Sequence, residues 1–176
     1  MILLGVSGAR GTIRADHGIS DVDGFGVSGD SSLLGADITL KFLMDTTKYI
    51  AWQTEYIYRN IDGNMYTNAG TSETYYANQS GLYSQLVFQF YKGWKAGVRF
   101  DLLQKNKIYV GGADQDHPEN LTRYSAMVEY SPSEFSRFRL QYNYDRSGYD
   151  GADMNENHQV AINANFNIGS HSAHSF

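Results

Sequence analysis

Residues 137–145, RFRLQYNYD, and residues 158–168, HQVAINANFNI, decide the fold. In the first, Phe138, Leu140, Tyr142 and Tyr144 alternate with Arg137, Arg139, Gln141, Asn143 and Asp145. In the second, Val160, Ile162, Ala164, Phe166 and Ile168 alternate with Gln159, Asn163, Asn165 and Asn167. Successive side chains of a strand point to opposite sides of the pleat, so each stretch has one apolar, aromatic face and one polar face. An apolar face toward lipid and a polar face toward a lumen is the pattern of a transmembrane β-strand.

The same alternation recurs upstream. Ile2, Leu4 and Val6 make a short, glycine-rich first strand, and Leu34 to Phe42, Ile50 to Tyr58, Leu82 to Phe90, Trp94 to Leu102 and Tyr124 to Tyr130 follow. Eight strands are therefore expected. Tight turns are expected near residues 45, 92 and 133, with glycine at the left-handed position of Tyr91-Lys92-Gly93. Long polar loops are expected over residues 14–30, 60–80 and 105–119 and near 151. This short–long rhythm predicts an all-β, antiparallel, up-and-down transmembrane β-barrel filling residues 1–176, with 169–176 as a C-terminal tail.

Charge obeys the same geometry. Of the nineteen acidic residues, five lie on the polar strand face (Asp37, Glu55, Asp101, Glu129, Asp145), two in tight turns (Asp45, Glu134) and the others in long loops. Arg10, at the end of the weak first strand, is the ambiguous case. A Lys or Arg facing lipid at mid-bilayer costs about 2–4 kcal/mol, which gives the uncharged face a physical cause. Aromatic residues gather at both ends of that face, as interfacial girdles do. A soluble lipocalin-like barrel would explain the alternation but not the banded tyrosines, and a β-sandwich would not give meander connections.

Composition narrows the function. No run of about twenty apolar residues is present, so no membrane-spanning helix is expected. Cysteine is absent, which removes disulfides and thiolate metal sites. A net charge of −5 argues against nucleic acid as a partner. The start of the chain, Met1-Ile2-Leu3-Leu4, lacks the form of a secretory signal, so a mature chain or a fragment is expected, the fragment being favoured. No glycine-rich phosphate loop leads into a helix. Ser84 and His158 share the lipid side but lie four strands apart, so no nucleophile–base pair and no enzyme is expected.

Leu34-Gly35-Ala36-Asp37 with Trp52-Gln53-Thr54-Glu55-Tyr56, Pro132-Ser133-Glu134-Phe135-Ser136-Arg137 with Leu140-Gln141, and the ending Ile168-Gly169-Ser170-His171-Ser172-Ala173-His174-Ser175-Phe176 carry a resemblance. The chain resembles the C-terminal part of a Gram-negative outer-membrane porin-like family that includes zinc-regulated and TonB-dependent-receptor-like proteins. The resemblance implies a barrel in the bacterial outer membrane, usually with more than eight strands, and partners in outer-membrane lipid and, through Phe176, the barrel-assembly machinery. Apolar alternation stops at Ile168, so Phe176 departs from the pattern of a strand-terminal aromatic.

The candidate site is the polar face: Lys41, Glu55, Arg59, Arg99, Asp101, Arg123, Glu129, Arg137 and Arg139 as a pore lining. Folding the chain about Ser133 places Glu129 opposite Arg137, Arg123 opposite Asn143 and Ser125 opposite Gln141. Folding it about Lys92 places Gln85 opposite Arg99 and Tyr83 opposite Asp101. The expected function is passive diffusion of small polar or ionic solutes, without a cofactor and with a homo-oligomer as one form of assembly. The alternative is a small structural or surface-binding barrel acting through its loops. His171 and His174 are the candidate metal ligands, fewer than the three or four that zinc takes. The loop acids Asp114, Asp116, Glu119, Asp150, Asp153 and Glu156 offer oxygen ligands for divalent cations, though ordinary loop solubility accounts for them.

Overall fold

The computed structural model describes residues 1–18, 24–115, 120–150 and 153–167. The strands are β1 (Ile2–His17), β2 (Phe25–Leu43), β3 (Tyr49–Thr67), β4 (Ser72–Tyr91), β5 (Trp94–Leu103), β6 (Lys107–Val110), β7 (Ala113–Gln115), β8 (Leu121–Ser133), β9 (Ser136–Asp150) and β10 (Asp153–Phe166). They form one antiparallel up-and-down sheet in the order β1-β2-β3-β4-β5-β8-β9-β10, with β6 against β4 and β7 against β6. Among the described residues β1 pairs only with β2 and β10 only with β9, so the sheet is open at both edges.

Every ladder between the eight long strands pairs even-numbered residues with even over the alternating segments. One row runs Ile2, Leu40, Trp52, Leu86, Val98, Ala126, Tyr142, Val160. The apolar faces expected from the sequence therefore fuse into one surface. It is widely exposed: Val6 is 89% accessible and Ile162 82%. Its aromatic borders are continuous, with Trp94 stacked on Tyr130 at 4.5 Å toward the tight turns and Phe100, Tyr124 and Tyr144 in succession toward the other end.

The polar segments expected as long loops are mostly strand. β1 and β2 remain paired from Ile2 to His17, and β3 and β4 from Tyr49 to Tyr66. Residues 105–119 contain β6 and β7, which alternation did not reveal. Hydrophobic periodicity marks a strand only where one face is apolar; a hairpin wet on one side and packed on small residues needs no such signature. We call these protruding ends the crown. Its buried apolar residues are Val27, Ile61 and Ala77, all odd-numbered. Gly29 and Gly63 pair there so closely that a Cβ on Gly63 would lie 2.6 Å from the Gly29 Cα.

Two turns shift the expected registers or lengths. Glu134 and Phe135 make the β8–β9 turn, so that Ser133 pairs with Ser136, and after a one-residue irregularity between Tyr130 and Ser133 the ladder lies two residues from a fold about Ser133. Glu129 consequently faces Arg139, Arg123 faces Asp145 and Ser125 faces Asn143. The β4–β5 connection uses two residues, Lys92 and Gly93, rather than three, with Gly93 at φ 78° as expected. The partners Gln85–Arg99 and Tyr83–Asp101 agree with the sequence. At the β2–β3 turn Asp45 Oδ1 accepts from the backbone N–H groups of Thr47 and Lys48, both at 2.7 Å.

Candidate functional site

The odd-numbered face carries the charges. Across β5, β8 and β9, Glu129 is held by two cations: Arg139 Nη2 at 2.6 Å and Lys95 Nζ at 3.1 Å. The carboxylate is only 3% exposed although it belongs to an open sheet. Three rows further along the same face, Arg123 Nη2 reaches Asp145 Oδ2 at 2.6 Å. Arg99 bends toward its neighbour on the same side of β5, Asp101, at 2.6 Å, and lies 3.9 Å from the centre of the Tyr83 ring. Arg99 and Arg123 keep 40% and 48% of their side-chain surface exposed. These are wet ion pairs on buried or half-buried acids.

The other expected lining residues sit on the same face without carboxylate partners among the described residues. Lys41 Nζ lies 4.4 Å from the centre of the Tyr49 ring. Arg59 Nε donates to Ser31 Oγ at 3.1 Å. Arg137 pairs with Asn165, whose side-chain oxygen accepts at 2.7 Å once the amide is oriented to satisfy both groups. Glu55 faces Asp37 on β2 and Tyr83 on β4. All nine residues thus share a face, but they form three local clusters and a scatter of single charges rather than a ring.

That face is concave. A cavity of about 610 Å³ is lined by residues from β2 (Leu33) through β9 (Ser147). Strands pack about 4.8 Å apart, so a flat sheet would hold the ends of that set too far apart to bound one space. Sequence reasoning missed this cavity and the Arg123–Asp145 pair. The pair needed the correct register, and the cavity needed both the curvature and the fork where β6 replaces β5 beside β4.

The other candidates separate. His171 and His174 lie outside the described residues, as do Asp116 and Glu119. Glu156 pairs with Arg146 at 3.6 Å and Asp114 lies in β7, facing Tyr109 of β6. Among the described residues no group of three or more His, Cys, Asp or Glu is placed to hold a metal. Ser84 Oγ accepts from Trp52 Nε1 at 2.9 Å, while His158 Nδ1 bonds the Tyr142 hydroxyl at 2.6 Å, so the two are committed to different neighbours.

No protein-family model matches the chain, and no solved structure matches it. The chain is similar to an uncharacterized protein of Aquifex aeolicus (strain VF5), with 35% identity over 175 residues. The match takes in 99% of this chain and 37% of that protein, so the chain spans little more than a third of its relative's length.

Proposed function

We propose that this sheet is part of an outer-membrane β-barrel whose charged face lines a water-filled path for small polar or ionic solutes. The observation that carries the proposal is a change of polarity along a single face. From Ile50 to Tyr58 of β3, and over the nine-residue stretches Leu34–Phe42, Leu82–Phe90, Trp94–Leu102, Thr122–Tyr130, Ser136–Tyr144 and His158–Phe166 of the strands that follow or precede it, even-numbered residues carry no Asp, Glu, Lys or Arg. Beyond the upper aromatic border the same face carries the exposed ion pairs Arg10–Asp30, Arg14–Asp16 and Arg146–Glu156. A strand crosses the hydrocarbon in about 9–11 residues, the length of the uncharged band. Lipid beside the band and water beside the crown account for both halves; a water-soluble sheet accounts for neither.

In lipid the backbone groups of an edge strand must be paired. The edges β1 and β10 therefore meet each other or further strands. An eight-stranded barrel has an interior that side chains fill, whereas this sheet of eight long strands stays open at both edges. A wider barrel fits better, in keeping with the greater length of the relative and the resemblance to porin-like proteins. The seven cations of this face (Lys41, Arg59, Lys95, Arg99, Arg123, Arg137, Arg139) outnumber its five carboxylates, which favours anions. A second reading is a surface-binding barrel acting through its crown, favoured by the packed residues Val27, Ile61 and Ala77 that give those hairpins a built shape.

Planar-bilayer recording of the complete barrel tests the pore. Steady conductance is expected, and the pair Lys41→Gln and Arg137→Gln should move its preference toward cations at an unchanged melting temperature. A bilayer that stays sealed overturns the pore and leaves the crown reading.

A further inference from the structure

The charged face contains an apolar belt that a simple ion path does not require. One row above Glu55, Tyr83, Asp101 and Arg123, the ladder runs Gly35, Ile57, Gly81, Leu103, Leu121. Leu33 stands beside it, opposite Arg59. These residues are odd-numbered, so they face away from the lipid band. Ile57 is nevertheless 39% exposed and Leu103 55% exposed, both toward the 610 Å³ cavity. The two glycines alternate with the large side chains and make room: a Cβ on Gly81 would come within 2.9 Å of Leu103 Cδ2. Arg59 lines the same cavity and bonds a hydroxyl, Ser31 Oγ, with no ion pair to a carboxylate among the described residues. The cavity's other charged residues, Glu55, Asp101 and Arg123, lie on the opposite side of the belt, Asp101 bound to Arg99 and Arg123 to Asp145.

An apolar wall with one uncommitted guanidinium at its rim is complementary to a molecule with a hydrocarbon body and an anionic head. Guanidinium binds carboxylate in a two-pronged, charge-assisted way, and aliphatic side chains take up the body as burial removes both surfaces from water. We propose that this cavity is a binding subsite for small amphipathic anions, carboxylates of about six to ten carbons, with the head on Arg59 and the chain along Leu33, Ile57, Leu103 and Leu121. The subsite rests on the barrel reading, because it needs the charged face to be open to water rather than filled.

Hexanoate is a suitable probe, short enough to stay largely outside detergent micelles. Calorimetric titration of the complete barrel with hexanoate should give saturable binding, with 1-hexanol and hexylamine clearly weaker. Arg59→Gln and Leu103→Asn should each weaken hexanoate by on the order of tenfold, while Arg59→Lys keeps part of the affinity; heat-modifiable gel mobility checks that each variant folds. Equal binding of hexanoate and hexylamine, or an Arg59→Gln chain that binds as tightly as the parent, would overturn the subsite. Conductance without hexanoate binding removes this site and spares the pore; hexanoate binding in a sealed bilayer removes the pore and spares the site.

Discussion

The lower and upper halves of β3 are one continuous strand with opposite rules. Between Tyr49 and Tyr58 the even residues Ile50, Trp52, Thr54 and Tyr56 contain no charge, and the odd face bears Glu55. Between Asn60 and Thr67 the even residues are Asn60, Asp62, Asn64 and Tyr66, while the odd residues Ile61, Gly63 and Met65 turn inward. The pairing with β2 and β4 does not change register across the border. Backbone geometry therefore stays fixed while the side-chain pattern inverts, as the proposed passage of the strand from lipid into water requires. Structural burial lies only in the upper half: Ile61 is 5% exposed, whereas Ile57, four residues away on the same face, is 39% exposed.

The largest effect expected from breaking this contrast is in the crown. Ile61→Ala should cost about 2–5 kcal/mol, the range for deleting a buried aliphatic side chain. Ile57→Ala, which removes atoms already half in water, should cost well under half as much. Amide hydrogen exchange across Asn60–Asn78 and Ile57–Gly81 would read both, because local opening of the crown need not unfold the band. Equal loss of protection from both variants would mean that the crown has no core of its own.

Next is the border of the uncharged band, tested on one strand and one face. Leu86→Arg places a cation in the middle of the uncharged band and should cost about 2–4 kcal/mol of membrane stability. Thr74→Arg, six positions up the same face of β4, should be within about 0.5 kcal/mol of neutral, as exposed substitutions usually are. Gln85→Arg on the charged face should also be tolerated. Folding yield into lipid vesicles, read by heat-modifiable gel mobility, separates them. Indistinguishable yields for Leu86→Arg and Thr74→Arg would remove the membrane from the interpretation.

The alternation of Phe138 to Tyr144 and Val160 to Phe166 made the band legible, since one wet and one greasy side impose period two on the residues themselves. The crown was not legible. Arg14 or Asn64 reads as loop because a strand end standing in water has no continuous apolar face to advertise. The shared face of the candidate residues was legible one by one, yet their partners were not: the β8–β9 turn falls at Glu134 and Phe135 rather than at Ser133, so the ladder lies two residues from the expected one, and a shift of two preserves every face while changing every neighbour. Arg139 thus took the place expected of Arg137 beside Glu129. The cavity beside Arg59 depends on curvature, and no spacing of leucines along the chain encodes that.

The smallest expected effect is at the crown's outer surface. Asp16 accepts a hydrogen bond from the Tyr66 hydroxyl and an ion pair from Arg14 at 3.4 Å. The Tyr66 bond, assisted by Arg14, holds the Asp16 carboxyl below its ordinary value of 3.8, and the same bond pushes the Tyr66 hydroxyl above its ordinary 10.0. For the acid, a lowered value in the folded chain means stabilisation that is complete above the unfolded value and lost as pH falls through the folded one. For the phenol, a raised value means stabilisation that is complete below its unfolded value and lost as pH rises through the folded one. The contact should therefore persist across a broad plateau bounded by acid below about pH 4 and alkali above about pH 10. Because all three side chains are in water, the gain is small and screened by salt, and only the tips of β1 and β3 should respond. NMR chemical shifts of the Asp16 and Tyr66 amides, followed from pH 7 downward, should move together at a midpoint below 3.8. Asp16→Asn should abolish the acid step while the band residues stay still. A joint shift of band and tip in the parent would mean that the two halves titrate as one unit, and the contrast drawn along β3 would fail.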